Sequence, residues 1–175
     1  MSMPFAEAIA SSAKRMRGYS ERVTKDLTDS NFGRLPKWGM QGETIKCNHP
    51  AWVFGHLAIY PARIMTGLGI KHQVDAPANF ESLFKDGTPC HDDVTGTIYP
   101  SMNTIMEAYF KSTDALIEAV GKLSDAELAK PVADENMRKH FPTNGELLIF
   151  MLNNHVGMHV GQISTWRRTM GLPPA

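Results

Sequence analysis

Apolar positions recur along the chain mainly with the helical period, and they delimit long amphipathic segments. The first predicted helix extends from Phe5 to about Leu27, with apolar or small residues on one face and charged residues on the others. The second begins at Asn48 as N-cap, has Pro50 in its first turn and continues to about Thr66. Both segments are long enough to be principal helices of a domain.

The connections around the second helix are long and irregular. Residues 30–47 are interrupted by glycine and proline, which predicts a loop, and Trp38 is expected to anchor this loop on the core. Pro61 predicts a kink within the second helix. Residues 71–100 lack a sustained period and predict a crossover containing at most a short helical turn at about 80–85.

Two further long helices follow. Ser101 caps a third helix whose apolar stripe reaches Val120, and a short helix is expected at about 123–130. The fourth begins at the capping box of Thr143 and ends before Gly171, which gives about 27 residues and a length of about 40 Å.

Four long helices without a convincing strand period predict an all-α fold, a four-helix bundle. Because the long crossover between helices two and three can span the bundle, these helices can run parallel, which predicts an up-down-down-up order. We expect one domain over residues 1–175.

Composition narrows the classes of function. The 18 basic and 18 acidic side chains of the 175 residues cancel, and no basic cluster stands out, which argues against nucleic-acid binding. The N-terminal residues lack the pattern of a secretory signal, and no segment is apolar enough to cross a membrane. We therefore expect a cytoplasmic protein that acts without membrane or nucleic acid.

The chemistry-bearing residues are histidines at core positions. His155 and His159 lie one helical turn apart on the inward face of the fourth helix, so both imidazoles can reach one ion. His56 occupies a similar position on the second helix and is the natural third ligand. Val156 and Gly157 replace the glutamate of the helical zinc-protease motif and its neighbour, and therefore the chemistry of these proteases is not indicated.

Each of these positions has a simpler alternative. A single histidine on a core face is commonly a hydrogen-bonded core residue, and it is the coincidence of three that favours a metal site. His49 is either a fourth ligand or, as we favour, a residue of the helix end or pocket rim near solvent. Gln162 is either a pocket residue or a polar core residue. The candidate pocket lining comprises His49, Trp52, Gln162 and Trp166.

Other polar groups are assigned no site. Arg63 is expected to extend to solvent, although it could anchor an anionic substrate. The run His91, Asp92 and Asp93 is expected to be a solvated turn, because adjacent loop residues seldom converge on one ion. No catalytic residue can be named, since no acidic residue accompanies the histidines in the pattern. The motifs of serine hydrolases, P-loop proteins and dinucleotide-binding folds are absent from the sequence.

The chain resembles the DinB-like superfamily, also described as YfiT-like metal-dependent hydrolases, over most of its length. The marks are the segment around His56, the crossover residues 81–87 leading to residues 99–101, and the ending around His155 and His159 followed by an arginine and Gly171. The resemblance implies an up-down-down-up bundle with a three-histidine site for nickel or zinc. These ligands would be His56, His155 and His159, and a homodimer is also implied.

The resemblance and the residues together predict a metal-dependent enzyme acting on a small molecule. Relatives include thiol S-transferases that use low-molecular-weight thiols, which makes thiol transfer the first hypothesis and hydrolysis the second. A rival hypothesis is a non-catalytic, stress-related metal-binding protein, and another is a dimeric interaction module. Imidazole ligands suit nickel and zinc alike, and one fold serves several substrates.

Overall fold

The computed structural model of the protein describes residues 3–175, so Met1 and Ser2 of the predicted domain lie outside the described residues. The described chain is mostly helical, which is compatible with the predicted all-α class. The helices are α1 Phe5–Thr24, α2 Asp29–Phe32, α3 Pro50–Ala58, α4 Tyr60–Gly67, α5 Phe80–Phe84, α6 Met102–Val120, α7 Asp125–Leu128, α8 Glu135–Arg138, α9 Asn144–Ile149 and α10 Val156–Thr169.

The first loop is more structured than its composition predicts. It contains α2 and an antiparallel pair of two-residue strands, β1 (Lys37–Trp38) and β2 (Glu43–Thr44). The expectation that Trp38 anchors the loop is wrong, because this side chain is 65% exposed. Phe32 and Leu35 are buried instead and join the loop to the core.

The second predicted helix is divided, as its proline indicates. Helix α3 ends at Ala58 and α4 begins at Tyr60, with Pro61 in the first turn of α4, where a missing N–H is tolerated. The N-cap of α3 is His49 rather than the predicted Asn48: the ring Nδ1 of His49 accepts the Trp52 backbone N–H at 3.2 Å. The first helix is also shorter than predicted, since it ends at Thr24.

The fourth predicted helix is a continuous helical run with an unpredicted change of type. A π-helical segment, Phe150–His155, joins α9 to α10. The wider π turn rotates the following residues relative to an α-helical register. In the α-helix that follows, His159 and Trp166 are buried as predicted, whereas Gln162, also predicted on the inward face, is exposed.

Helix α3 is the centre of the packing that positions the site. All nine of its residues are buried, and it packs against α5, α6 and α10. Helix α1 packs against α6, α10 and the π-helical segment. Arg167, only 1% exposed, joins α10 to α1 by donating to the Val23 carbonyl at 3.0 Å. Within residues 3–175, no helix is long and apolar enough to cross a lipid bilayer.

Gly55 permits the close approach of α5 to α3. A Cβ atom built at this glycine would lie 2.5 Å from the Phe84 ring, which is too close for a real contact. Phe84 is itself fully buried and stacks on Tyr99 at a centroid distance of 5.7 Å. The small residue therefore sets the position of α5 against the core.

We predict that Gly55→Ala destabilises the protein by about 1–3 kcal/mol, the usual cost of overpacking a core. Urea unfolding would measure the change. Gly67→Ala is the matched control, because a Cβ at Gly67 meets no atom within 4 Å. The control should retain or gain stability, by up to about 1 kcal/mol, since alanine favours the helix. Equal stabilities for the two variants would contradict this role of Gly55.

Candidate metal centre

The structure brings together the three histidines that the sequence singled out. His56 lies in α3, His155 ends the π-helical segment and His159 lies one turn further in α10. Their Nε2 atoms face one another, at 3.3 Å between His56 and His155 and 3.2 Å between His155 and His159. One ring nitrogen from each side chain lies within 4.8 Å of the others, so the group could hold a metal ion.

Hydrogen bonds fix the orientation of two of these imidazoles. Nδ1 of His56 lies 2.8 Å from the Phe84 carbonyl oxygen, which can only accept, so Nδ1 carries the proton. Nδ1 of His159 likewise donates to Oε1 of Gln162 at 3.0 Å. With the proton on Nδ1, the neutral form of each ring directs an Nε2 lone pair toward the third histidine.

The third imidazole cannot satisfy both of these lone pairs. A neutral His155 carries one proton, and its Nδ1 is buried without a hydrogen-bond partner. At most one of its two Nε2 contacts can therefore be a hydrogen bond. A cation would accept all three lone pairs, and tetrahedral zinc with Zn–N bonds near 2.0–2.1 Å separates its ligand nitrogens by about 3.3 Å. The residues present thus fit a divalent ion.

Burial keeps the cluster uncharged near neutral pH. It lowers the pKa of His155 and His159 to about 4, and the neighbouring histidines add to the effect. The pKa of His56 is lowered as well, mainly by burial. Metal binding requires neutral imidazole, so the cluster is in the binding form without losing protons.

Aromatic side chains enclose the cluster. The Trp52 ring stacks on His56 at a centroid distance of 4.8 Å, and its indole N–H donates to Thr88. Tyr60 packs edge-on against His56 and His155 at 4.9 and 5.2 Å. Phe150 stacks on His155 at a centroid distance of 5.9 Å. These rings limit the approach of water to the Nε2 atoms.

The four residues predicted to line the pocket divide into two pairs. Trp52 and Gln162 contact the histidines directly, as described above. His49 is fully buried, contrary to the expectation that it lies near solvent, and its Nε2–H donates to the His91 carbonyl at 2.8 Å. Trp166 donates its indole N–H to the Arg34 carbonyl at 2.8 Å. The hydrogen bonds of His49 and Trp166 therefore hold the loop segments that contain His91 and Arg34.

The other polar groups singled out in the sequence also have structural partners. Asp92 pairs with Arg34, and Asp93 accepts three backbone N–H groups from residues 97–99. These two residues are thus loop supports and not a solvated turn. Arg63 is exposed, as expected, and pairs with Glu81.

Asp86 is an exposed loop residue whose charge acts on the cluster, which the sequence pattern did not indicate. After burial, the negative charge of Asp86 is among the influences that raise the pKa of Tyr60, and it opposes the lowering of the pKa of His56 and His155. Asp86 follows Phe84, which is tied to His56, and precedes Thr88, which is tied to Trp52. A loop residue without periodicity offers no sequence signal for this placement.

We predict that the metal-free protein loses stability as the pH falls from about 6.5 toward 4. His49, His155 and His159 have a pKa of about 4 when folded, mainly because of burial, against 6.5 for an ordinary histidine. The unfolded chain therefore binds more protons in this window, which favours unfolding. Urea midpoints measured across the window in the presence of chelator would reveal the decline.

His49→Asn tests one contributor to this decline. Asparagine is a good N-cap, so the acceptor for Trp52 is retained while the titrating group is removed. The variant should show a shallower loss of stability between pH 6.5 and 4 than wild type. His140→Asn, which replaces an exposed histidine, is the control and should follow the wild-type curve. An unchanged slope in His49→Asn would contradict the prediction.

Comparison with known proteins agrees with the resemblance noted in the sequence. Searches of curated proteins and of solved structures returned no significant match. The DinB superfamily profile, in contrast, matches residues 12–163, a range that contains all three clustered histidines and the crossover. The chain therefore belongs to the DinB superfamily.

Proposed function

We propose that this protein is a metal-dependent enzyme that acts on a small molecule, as a thiol S-transferase or a hydrolase. His56, His155 and His159 would hold one divalent ion, nickel or zinc, because imidazole suits both. The proposal depends on one observation: three imidazole rings converge through their Nε2 atoms, and hydrogen bonds orient two of these rings. We also propose the up-down-down-up bundle of the four long helical segments as the scaffold.

The uneven burial of the three histidines supports an enzyme over a structural metal site. Three protein ligands leave one coordination position for water or substrate in catalytic zinc sites. His56 and His159 are buried, whereas His155 is partly exposed and marks the side from which a small molecule can approach. A closed structural site would instead contain a fourth protein ligand, and the described residues add no fourth His, Cys, Asp or Glu to this group.

A divalent ion in this position would lower the pKa of a bound water or thiol, which favours the attacking anion. The surrounding residues would hold the ligands and limit water. The Phe84 carbonyl and Gln162 orient the imidazoles of His56 and His159. Trp52 covers His56, and Phe150 covers His155. Thiol transfer is preferred over hydrolysis because of the superfamily resemblance.

We predict that untagged protein exposed to zinc or nickel retains close to one ion per chain. His155→Ala and His159→Ala should each lose most of it, because two imidazoles make a much weaker site than three. Elemental mass spectrometry after gel filtration would measure the content. His140→Ala replaces an exposed histidine and should retain wild-type content. Metal-free wild type after saturation with both ions would overturn the proposed function.

We predict that Gln162→Leu weakens metal binding by about 10- to 100-fold, the usual effect of removing a partner that orients a ligand histidine. The mutation removes the acceptor of the His159 Nδ1–H while the three ligands remain. Gln162→Glu keeps an acceptor at this place and should retain most of the affinity. Competition with a chelator of known affinity would measure both variants. Equal affinities for leucine and glutamate would exclude the orienting role.

A further inference from the structure

A cavity of about 300 Å³ adjoins the three-histidine cluster and shares a wall with it. The shared wall is Tyr60, whose ring contacts His56 and His155 and also lines the cavity. On the opposite side the lining includes Met151, which belongs to the same π-helical segment as His155. The cavity and the cluster therefore lie between the same two stretches of chain.

The spacing along these stretches places the cavity next to the cluster. Tyr60 follows His56 by one helical turn, and Met151 precedes His155 by one turn. On each stretch, the residue one turn away from the histidine therefore lines the cavity. The next turns contribute Ile64 on α4 and Leu147 on α9, so the cavity extends away from the histidines.

The interior of the cavity suits an apolar group. Its lining is mostly aliphatic, with Ile64, Leu68, Val132, Leu147 and Met151 as the main contributors. The charged and amide side chains of the lining have partners elsewhere. Arg63 pairs with Glu81, the Asp134 carboxylate caps α8, and the Asn144 amide donates to the Glu127 carbonyl. Transfer of an uncharged alkyl or aryl group from water into this cavity is therefore favourable. The volume is at the lower end of the range for small-molecule sites.

We propose that this cavity binds the apolar group of the substrate while the polar, reacting end of the same molecule lies at the three-histidine cluster. The inference rests on the proposed function and adds a substrate class to it. The substrate is a small amphiphile with an alkyl or aryl tail, in contrast to a wholly polar metabolite. Tyr60 is the residue that both parts of such a molecule would touch.

A series of straight-chain alkyl hydroxamates, from four to eight carbons, tests the proposal on the zinc-loaded protein. Hydroxamate oxygens bind divalent ions, and the alkyl tail then reports on the adjoining cavity. Each added methylene should lower the Kd about fourfold, the usual gain for burying a CH₂ group. Isothermal titration calorimetry would measure the series. A Kd independent of chain length would overturn the proposal.

Gly67→Leu is the variant designed to fill the cavity. Gly67 lines it, and a Cβ at this position meets no atom within 4 Å, so the leucine can enter without displacing the backbone. Gly18→Leu is the matched control, because Gly18 is also a helical glycine with free space around its Cβ, on α1. Gly67→Leu should abolish the gain with chain length, whereas Gly18→Leu should keep it. The same gain in both variants would overturn the proposal.

Two readouts separate failure of the cavity from failure of the proposed function. Metal content, measured on each variant, reports on the three histidines and should be equal in Gly67→Leu and Gly18→Leu. The same hydroxamates should bind more weakly to chelator-treated wild type. The decrease in Kd per added methylene should be unchanged, because the alkyl tail does not contact the ion. Retained metal without a chain-length gain refutes the cavity alone, while absent metal with a persistent gain refutes the metal enzyme alone.

Discussion

The site depends on one constraint. The imidazoles of His56 and His159 both direct a lone pair at His155, which can donate a hydrogen bond to only one of them. The Phe84 carbonyl forces the proton of His56 onto Nδ1, and Gln162 does the same for His159. His155 then faces two acceptors at 3.2 and 3.3 Å. Such an arrangement costs stability in the protein alone, because buried polar groups without partners are expensive. A site that is costly without a ligand is an indication of function rather than of packing.

Several features of the chain maintain this arrangement. Gly55 allows α5 to approach α3 closely enough for the Phe84 carbonyl to reach His56. The π-helical segment sets the rotation of the residues that follow it, and π turns are often found at functional sites. His49 caps α3 through its Nδ1 and thereby secures the helix that carries His56. Gly55, the π-helical segment and the His49 cap therefore all help to position the cluster.

The cluster and the adjoining cavity are parts of one architecture. Both lie between the stretch that contains α3 and α4 and the stretch from α9 to His155. Pro61 divides the first stretch and the π-helical segment modifies the second, so each departs from a regular α-helix close to the histidines. Departures of this kind open space between helices that would otherwise pack tightly along their length. Tyr60 fills part of this space, lining the cavity and contacting two of the three histidines.

The sequence by itself determined the long helices, the kink at Pro61 and the three histidines as a set, because helical periodicity, caps and proline act locally. The exposure of Trp38, the N-cap at His49 and the π-helical segment were decided by tertiary packing, which local propensity does not contain. The same holds for the orienting contacts. The Phe84 carbonyl is a backbone group that any residue carries, and Asp86 lies in a loop without a period, so neither leaves a signal in the sequence. Which lone pairs face one another, and what space adjoins them, follows only from the way helices distant in sequence pack together.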